Sequence, residues 1–375
     1  MEKQLNLERV KEAMDRKGVN PATLARELDV SREAVSRWLQ GKSLPRPDKL
    51  LKLALRLDLQ VDQVIVRPDN DSEPVVAFRK MGARKTTKQH IAHAKDIGRL
   101  LRRLVPYLPF DKLVRPATLK KPNDDYRYIQ DVVSKFRKEI GVRPDDAIDF
   151  HHLINRFGEL QAVLVPVLWG KKDRHENALH IFLPDSMTTW VYLNIDSEIH
   201  DFKFWMTHEL GHILAPELRG DIAEDFADAF AGALLFPGDQ AARAWEHVHA
   251  ARSEGAQINR IKGIAEASLI SPISVYREIN KYAIDAGLRP LSLDPAIYGA
   301  AKNLSKAYHN VSTTLFDDNL PGADEYIDRV EKLFQSPFVA VLKQYLIKEA
   351  KGPGYIQSIL DIPLLDAREL HRHLA

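Results

Sequence analysis

The chain from residue 205 to residue 212 reads Trp-Met-Thr-His-Glu-Leu-Gly-His, and the rest of the sequence is interpreted outward from this stretch. His208 and His212 are four residues apart, which places both imidazoles on one face of a helix. Two neutral imidazoles at this spacing bind Zn²⁺, and the carboxylate of Glu209 beside them can accept a proton from water. The motif therefore predicts zinc ligands at His208 and His212 and a catalytic base at Glu209, with Mn²⁺ as an alternative metal.

A catalytic zinc site needs a third protein ligand, with the fourth position left to water. Ala215-Pro216 should end the motif helix, and Gly220-Asp221 indicates a turn with Asp221 as the N-cap of a second helix. This helix should run from about 222 to 235 and return antiparallel to the first. Glu224 would then face the histidine pair as the third ligand. Three other acids remain alternatives: Asp225, Glu217 and Asp221.

Asp228 lies one turn beyond Glu224 and can hydrogen-bond a ligating imidazole.

The pattern His208-Glu209-Leu210-Gly211-His212, then Glu224-x-x-Ala227-Asp228-x-Phe230-Ala231-x-x-Leu234-Leu235-x-Pro237, resembles the ImmA/IrrE metallopeptidase family. The resemblance covers roughly residues 126–285 and implies a zinc-dependent endopeptidase that cleaves a helix-turn-helix repressor. The family usually has Asn where this chain has Asp228, a difference that changes the charge beside the ligands.

The first 66 residues have the pattern of a helix-turn-helix module. Pro21–Leu28 should form a helix, Asp29-Val30 a tight turn, and Arg32–Leu39 a second helix with Ser31 as its N-cap. Helical periodicity before Gly18, a helix over 50–57 and a short one near 61–65 complete the module. It resembles the Xre/Cro repressor family over about residues 7–66, which implies that helix 32–39 enters the major groove.

Double-stranded operator DNA is therefore the expected partner of this module, and a small helical bundle that binds protein is the alternative. Polar side chains on and just after the second helix are the candidate base or phosphate contacts. They are Arg32, Glu33, Ser36, Arg37, Lys42 and Ser43.

Between the two motifs lies a stretch, 67–125, that is interpreted as a basic linker with a helix near 86–105. It could add phosphate contacts or dock as a solvated helix between domains. Residues 126–290 are expected to form the zincin-like peptidase domain, with helices at 126–140 and 145–157, a strand at 160–167 and a hairpin of strands 180–183 and 190–194. Residues 291–375 should add four short helices of undetermined role.

The second strand of the predicted hairpin is the expected sheet edge beside the cleft, where a substrate could bind as an added strand. Tyr192 and His180, on this hairpin, are possible stabilisers of the oxyanion formed during peptide hydrolysis. A packed aromatic ring and an ordinary histidine are the alternative interpretations.

Composition bounds the class of protein. The 375 residues are 45% hydrophobic with a net charge of +2, enough for packed cores and without the strong positive charge of a general polyanion binder. The chain contains no Cys, which excludes disulfides, thiolate zinc ligands and a cysteine nucleophile. The charged N-terminus and the absence of an apolar run near the roughly 20 residues of a membrane span lead us to expect a cytoplasmic protein without membrane contact.

Together these patterns predict a mainly α protein with a small β-sheet, an α+β fold in three parts. The expected function is a DNA-binding regulator with a zinc endopeptidase domain that cleaves a repressor, or itself, to control transcription; a homodimer is possible. The alternative is a transcription factor whose metal site is structural or metal-sensing. The carboxylate at Glu209 favours the enzyme, because structural zinc sites need no general base.

Overall fold

Two units make up the chain, Met1–Glu73 and Pro74–Ala375. The computed structural model describes residues 4–59, 64–66, 73–78, 88–110, 118–170, 178–305, 308–317 and 320–375. Helices dominate both units, and the second contains a small four-stranded sheet, so the predicted fold class is confirmed. The finer division of residues 67–375 into linker, peptidase and tail stays a prediction.

The first unit is a helical bundle with a short ribbon. Its helices are α1 (Leu7–Arg16), α2 (Pro21–Glu27), α3 (Arg32–Leu39) and α4 (Pro47–Leu57). Strands β1 (Gln4–Leu5) and β2 (Ile65–Val66) pair antiparallel. The prediction of a helix through residue 65 is wrong at its end, where β2 stands, and residues 61–63 of that prediction lie outside the described part of the chain.

Four strands form the sheet of the second unit. They are β3 (Val75–Phe78), β4 (Ala162–Val167), β5 (Ala178–Leu183) and β6 (Thr188–Asn194). The order across the sheet is β3-β5-β6-β4, with β4 parallel to β6 and the other two pairs antiparallel. The hairpin β5-β6 was expected from the sequence. The strand β3 was not, because it lies in the stretch interpreted as a linker.

Helices surround this sheet. Before and around the strands lie α5 (Lys88–Leu101), α6 (Tyr126–Glu139), α7 (Phe150–Glu159), α8 (Ile199–Leu214), α9 (Gly220–Leu235), α10 (Gly238–His249), α11 (Glu254–Ser268) and α12 (Pro272–Asp285). The tail contributes α13 (Ala296–Ser305), α14 (Val311–Phe316), α15 (Ala323–Phe334), α16 (Phe338–Lys348), α17 (Pro353–Leu360) and α18 (Leu364–Leu374). The tail thus has helices at 311–316 and 364–374 beyond the four predicted.

Helix α7 starts later than the sequence suggested. The prediction placed its start at Asp145, but Asp149 is the N-cap, and its carboxylate accepts a hydrogen bond from the Phe150 N–H at 2.6 Å. His152 Nδ1 in turn accepts from the Asp149 N–H at 3.1 Å, which completes a reciprocal cap. The cap fixes the start of the helix because these two bonds satisfy N–H groups that have no partner within the helix.

The two faces of the sheet are covered by different helices. Opposed residues on paired strands point to the same face, and successive residues alternate. His180 is opposite Val191, on the face where α8 lies against β5 and β6. Tyr192 therefore points to the other face, where its hydroxyl donates to the Ile359 carbonyl of α17 at 2.8 Å. This alternation decides which hairpin side chains can reach α8.

The tail is tied to the sheet by buried polar contacts as well as by apolar packing. The Tyr326 hydroxyl donates to the Pro166 carbonyl, and the Ser336 hydroxyl donates to the Leu164 carbonyl at 2.6 Å. Both acceptors are on β4, the edge opposite β3. Helices α15 to α18 therefore close one side of the same core that carries α8 and α9.

Across the described ranges, no helix combines the length and the apolar character that crossing a lipid bilayer requires.

Candidate metal centre

Helices α8 and α9 pack unusually closely, and this closeness builds the site. A Cβ at Gly211 would lie 3.0 Å from the Ala227 Cα and 3.2 Å from its Cβ, tighter than ordinary contact. Glycine on α8 and alanine on α9 therefore let the two backbones approach. Glu224 lies one turn before Ala227, so the same approach brings its carboxylate to the histidines.

The start of α9 differs from the sequence prediction. Arg219 occupies the N-cap position without a side-chain capping bond, and Asp221 lies in the first turn. Asp221 still complements the helix dipole from that position. The predicted antiparallel return of the helix is observed, one or two residues earlier than expected.

His208, His212 and Glu224 come together as the sequence predicted. The two Nε2 atoms are 3.1 Å apart. Glu224 places Oε2 3.4 Å from the His208 Nε2 and Oε1 3.5 Å from the His212 Nε2. The three alternative acids, Asp225, Glu217 and Asp221, are not members of this group among the described residues.

The spacing of these atoms fits one divalent cation. Two ligand atoms at about 2.0–2.1 Å from a tetrahedral zinc ion lie about 3.3–3.4 Å from each other. The observed separations of 3.1, 3.4 and 3.5 Å are close to that value. Two imidazole nitrogens and one carboxylate are also a ligand set that zinc accepts. These residues could hold a metal with little rearrangement.

Asp228 fixes the orientation of His208. Its Oδ1 accepts a hydrogen bond from the His208 Nδ1–H at 2.9 Å, which directs the other ring nitrogen, Nε2, toward His212 and Glu224. The sequence predicted this contact. Burial of the His208 ring opposes its protonation, but the bonds to Asp228 and Glu224 outweigh burial and raise its pKa to about 9.

Burial also shifts the pKa values of the other two candidate ligands, His212 and Glu224. Burial, with the positive charge of His208 nearby, lowers the pKa of His212 well below its usual value. Burial also raises the pKa of Glu224, although the hydrogen bond with His208 acts in the opposite direction. In the absence of metal, the shared proton therefore lies on His208, between Asp228 and Glu224.

Glu209 and His180 lie beside this group. Glu209 is only 1% exposed, and its Oε2 has no hydrogen-bond partner among the described residues. The His180 Nδ1 is 3.5 Å from that oxygen, too long for a hydrogen bond and without another partner. A carboxylate oxygen buried without a hydrogen-bond partner is costly, so Oε2 is an available acceptor at this site.

Two expectations for the hairpin do not agree with the structure. Tyr192 is fully buried on the face away from Glu209 and is bonded to Ile359, so it is not placed to stabilise an oxyanion at this site. The second hairpin strand, β6, lies between β5 and β4 rather than at an edge. The strand beside the site is β5, which carries His180.

The first unit has the geometry expected for reading DNA. Asp29, with φ of 53°, adopts the left-handed conformation in the turn between α2 and α3, and the Val30 N–H donates to the Ala25 carbonyl at 3.0 Å. The Ser31 hydroxyl caps α3 by accepting from the Ala34 N–H at 3.1 Å. Lys49 donates to the Leu28 carbonyl at 2.9 Å and stabilises the turn.

The candidate DNA contacts lie mostly on one accessible surface. Exposed side chains are Arg32, Glu33, Ser36, Arg37 and Lys42, and Ser43 is half-buried. Val35 and Trp38, on the opposite side of α3, are buried in the bundle. The pKa of Glu33 is lowered by hydrogen bonds from its own backbone N–H and from Ser31, so its carboxylate also caps the helix.

The comparisons with known proteins concern this first unit. A family model described as Helix-turn-helix matches residues 10–64. No curated protein and no solved structure gives a significant match. The chain therefore carries a helix-turn-helix module that binds double-stranded DNA, and it acts as a transcription regulator.

Proposed function

We propose that the second unit is a zinc-dependent endopeptidase, so that this DNA-binding regulator controls transcription by cleaving a protein. The observation that carries the proposal is the convergence of His208, His212 and Glu224 beside Glu209, whose buried Oε2 has no hydrogen-bond partner among the described residues. The resemblance of these motifs to the ImmA/IrrE family supports the same conclusion.

Three side chains would hold the metal, and a fourth would orient one of them. His208 and His212 offer Nε2, and Glu224 offers a carboxylate oxygen. Asp228 fixes the His208 ring through Nδ1, which keeps Nε2 free as a ligand. A bound Zn²⁺ would supply Lewis acidity, which lowers the pKa of water toward 7 and polarises a peptide carbonyl.

Glu209 would move the protons in this reaction. Its carboxylate takes a proton from the attacking water and passes it to the leaving amine as the peptide bond breaks. Because the Glu209 Oε2 has no hydrogen-bond partner within the described structure, this oxygen can accept a hydrogen bond from the water. His180, 3.5 Å from that oxygen, is placed to hydrogen-bond the reacting carbonyl or to position Glu209.

A repressor of the helix-turn-helix class, or the protein itself, is the proposed substrate. This rests on the resemblance to ImmA/IrrE peptidases and on the presence of a DNA-binding module in the same chain. Binding of that module to DNA would concentrate the peptidase near proteins bound to the same operator, which raises the effective concentration of substrate.

The test combines metal analysis with cleavage in cells. The purified protein should contain about one zinc per chain, and His212→Ala should lose it because two ligands remain. Co-expression with repressors encoded nearby should yield fragments on a gel, and these should disappear with Glu209→Gln, a variant that keeps all three ligands. Cleavage by the Glu209→Gln protein would refute the assignment of Glu209.

The alternative function, a transcription factor with a structural or metal-sensing site, has a distinct outcome in the same test. It predicts bound zinc with no fragment from any repressor. It also predicts that Glu209→Gln leaves regulation unchanged, whereas loss of His212 alters DNA binding.

A further inference from the structure

Strand β3 occupies the outer edge of β5, directly beside the proposed catalytic residues. The two strands are antiparallel, with Val75 opposite Phe182 and Ala77 opposite His180. His180 is the residue of β5 that approaches Glu209. The backbone of β3 therefore passes the point of the sheet that is nearest to the proposed metal site.

An extended polypeptide that joined the sheet at β5 would follow this same path. Edge strands bind extended peptides through main-chain hydrogen bonds, and side-chain pockets add specificity. The edge of β5 is the one that lies beside α8, and helix α9, with Glu224 and Asp228, lies against β3. A peptide in place of β3 would thus pass between β5 and the helix that carries the third ligand.

The contacts of β3 show how it is held. Val76 is half-buried against the core on the face of Ile181, its partner on β5. Just before β3, Pro74 lies so close to α5 that a Cβ at Gly98 would meet its Cβ at 2.6 Å. Within the described residues, β3 is held by its ladder with β5, by the packing of Val76 and by the close contact of Pro74 with α5.

The proposed site is nearly closed in this arrangement. His208 and Glu209 are 0% and 1% exposed, and His212 is 7% exposed. A peptidase must admit a polypeptide to its general base, so some covering segment has to move. Strand β3 lies where the incoming chain would add to the sheet.

We propose that the outer edge of β5 is the binding groove for an extended polypeptide substrate, and that β3 is an internal occupant which the substrate must displace. The inference rests on the proposed peptidase function, because it assigns the groove to that site. The proposed substrate is an unfolded or extended polypeptide segment that binds antiparallel to β5, and β3 inhibits the peptidase while it occupies that position.

Two variants loosen β3 from different sides without changing the proposed ligands or Glu209. Val76→Asp places a charge against the core, and Gly98→Val pushes α5 against Pro74. Leu320→Asp, at a side chain that is 93% exposed, adds a charge without burying it and serves as the control. Thermal unfolding should show that each variant remains folded.

The first readout is hydrogen–deuterium exchange, measured with Glu209→Gln in every protein to prevent cleavage. Those amides of 178–183 that point to β3 should exchange roughly tenfold faster in Val76→Asp and Gly98→Val than in the control, because the ladder with β3 is opened while the ladder with β6 remains. Adding β-casein, an unfolded polypeptide, should restore protection in both variants. If β-casein does not change the protection of these amides, the proposal that the edge of β5 binds the substrate is refuted.

The second readout is the cleavage rate on β-casein with Glu209 intact. Loosening β3 should raise the rate roughly tenfold over the control, since a larger fraction of molecules has a free edge. If variants with faster exchange at 178–183 cleave β-casein at an unchanged rate, the proposal that β3 inhibits the peptidase is refuted. If β-casein restores protection but neither β-casein nor any repressor in the co-expression test is cleaved, the groove stands and the peptidase proposal fails.

Discussion

Replacing Gly211 by alanine should weaken both the second unit and the proposed metal site, although alanine is the better helix former. The added Cβ would lie 3.0 Å from the Ala227 Cα, a backbone atom that cannot turn away. Helices α8 and α9 must then separate by a few tenths of an ångström. Because His208 and His212 are on one helix and Glu224 on the other, the separation moves the ligands apart.

A matched variant isolates this effect. Gly263 lies within α11, and a Cβ there would meet nothing within 4 Å. Gly263→Ala should stabilise the unit by up to about 1 kcal/mol through helix propensity. Gly211→Ala gains the same term but loses about 1–3 kcal/mol to overpacking. The free energy of unfolding of the two variants should therefore differ by about 1–3 kcal/mol.

Tryptophan fluorescence in a urea titration reports mainly on the second unit, because it contains Trp169, Trp190, Trp205 and Trp245, and Trp38 is in the first. Competition with a chelating dye measures zinc affinity, which should fall by roughly tenfold in Gly211→Ala and stay unchanged in Gly263→Ala. Equal stabilisation of the two variants, with equal zinc affinity, would refute the argument that close helix approach builds the site.

Further predictions follow from charge and burial. Asp228→Asn should lower zinc affinity roughly tenfold in the same dye assay, because the neutral amide makes His208 less basic. Zinc binding near pH 7 should release about one proton from His208, whose pKa is about 9 without metal, and none above about pH 10; calorimetry in buffers of different ionisation enthalpy counts it. Burial lowers the pKa of Lys203 to about 8, whereas the same group keeps its ordinary pKa of 10.5 in the unfolded chain. Between these two pH values the unfolded chain therefore binds more protons than the folded one. The contribution of Lys203 to stability should therefore rise across that window, by at most about 1.4 kcal/mol per pH unit, and the difference between the wild type and Lys203→Met should isolate it from the buried tyrosines, whose raised pKa values act in the opposite direction. Lys42→Ala should reduce the slope of log affinity against log salt by about 1 on a labelled duplex, whereas Lys52→Ala on α4 should leave it unchanged.

The sequence predicted most of the candidate site because its geometry is local. His208 and His212 are one helical turn apart, and Pro216 limits the link before α9, so Glu224 had to lie nearby. The start of α9 was placed less well, since Arg219 takes the cap position without a side-chain bond. A helix that begins without a side-chain capping bond cannot be recognised from the type of residue at its N-cap.

The predictions that were wrong concern strands that pair with residues far away in the sequence. Alternation along β6 shows that Tyr192 and Val191 face opposite ways, but only the register with β5 shows that His180 shares the face of Val191. Strand β3 was missed because four residues in a Pro- and charge-rich stretch give almost no periodic signal. Its partner lies far along the chain, and a short edge strand is defined by that partner.

The pairing of β3 with β5 also governs the order of events during synthesis. Ala77 and its partner His180 are about a hundred residues apart, and ribosomes add about 5–20 residues per second. The nascent chain therefore carries β3 for about 5–20 s before β5 has been translated. The helix-turn-helix module, complete by residue 66, can fold within that interval. The β3 edge of the sheet can therefore pair only after residue 183 has left the exit tunnel, and strand β6, at Thr188–Asn194, completes the sheet later still.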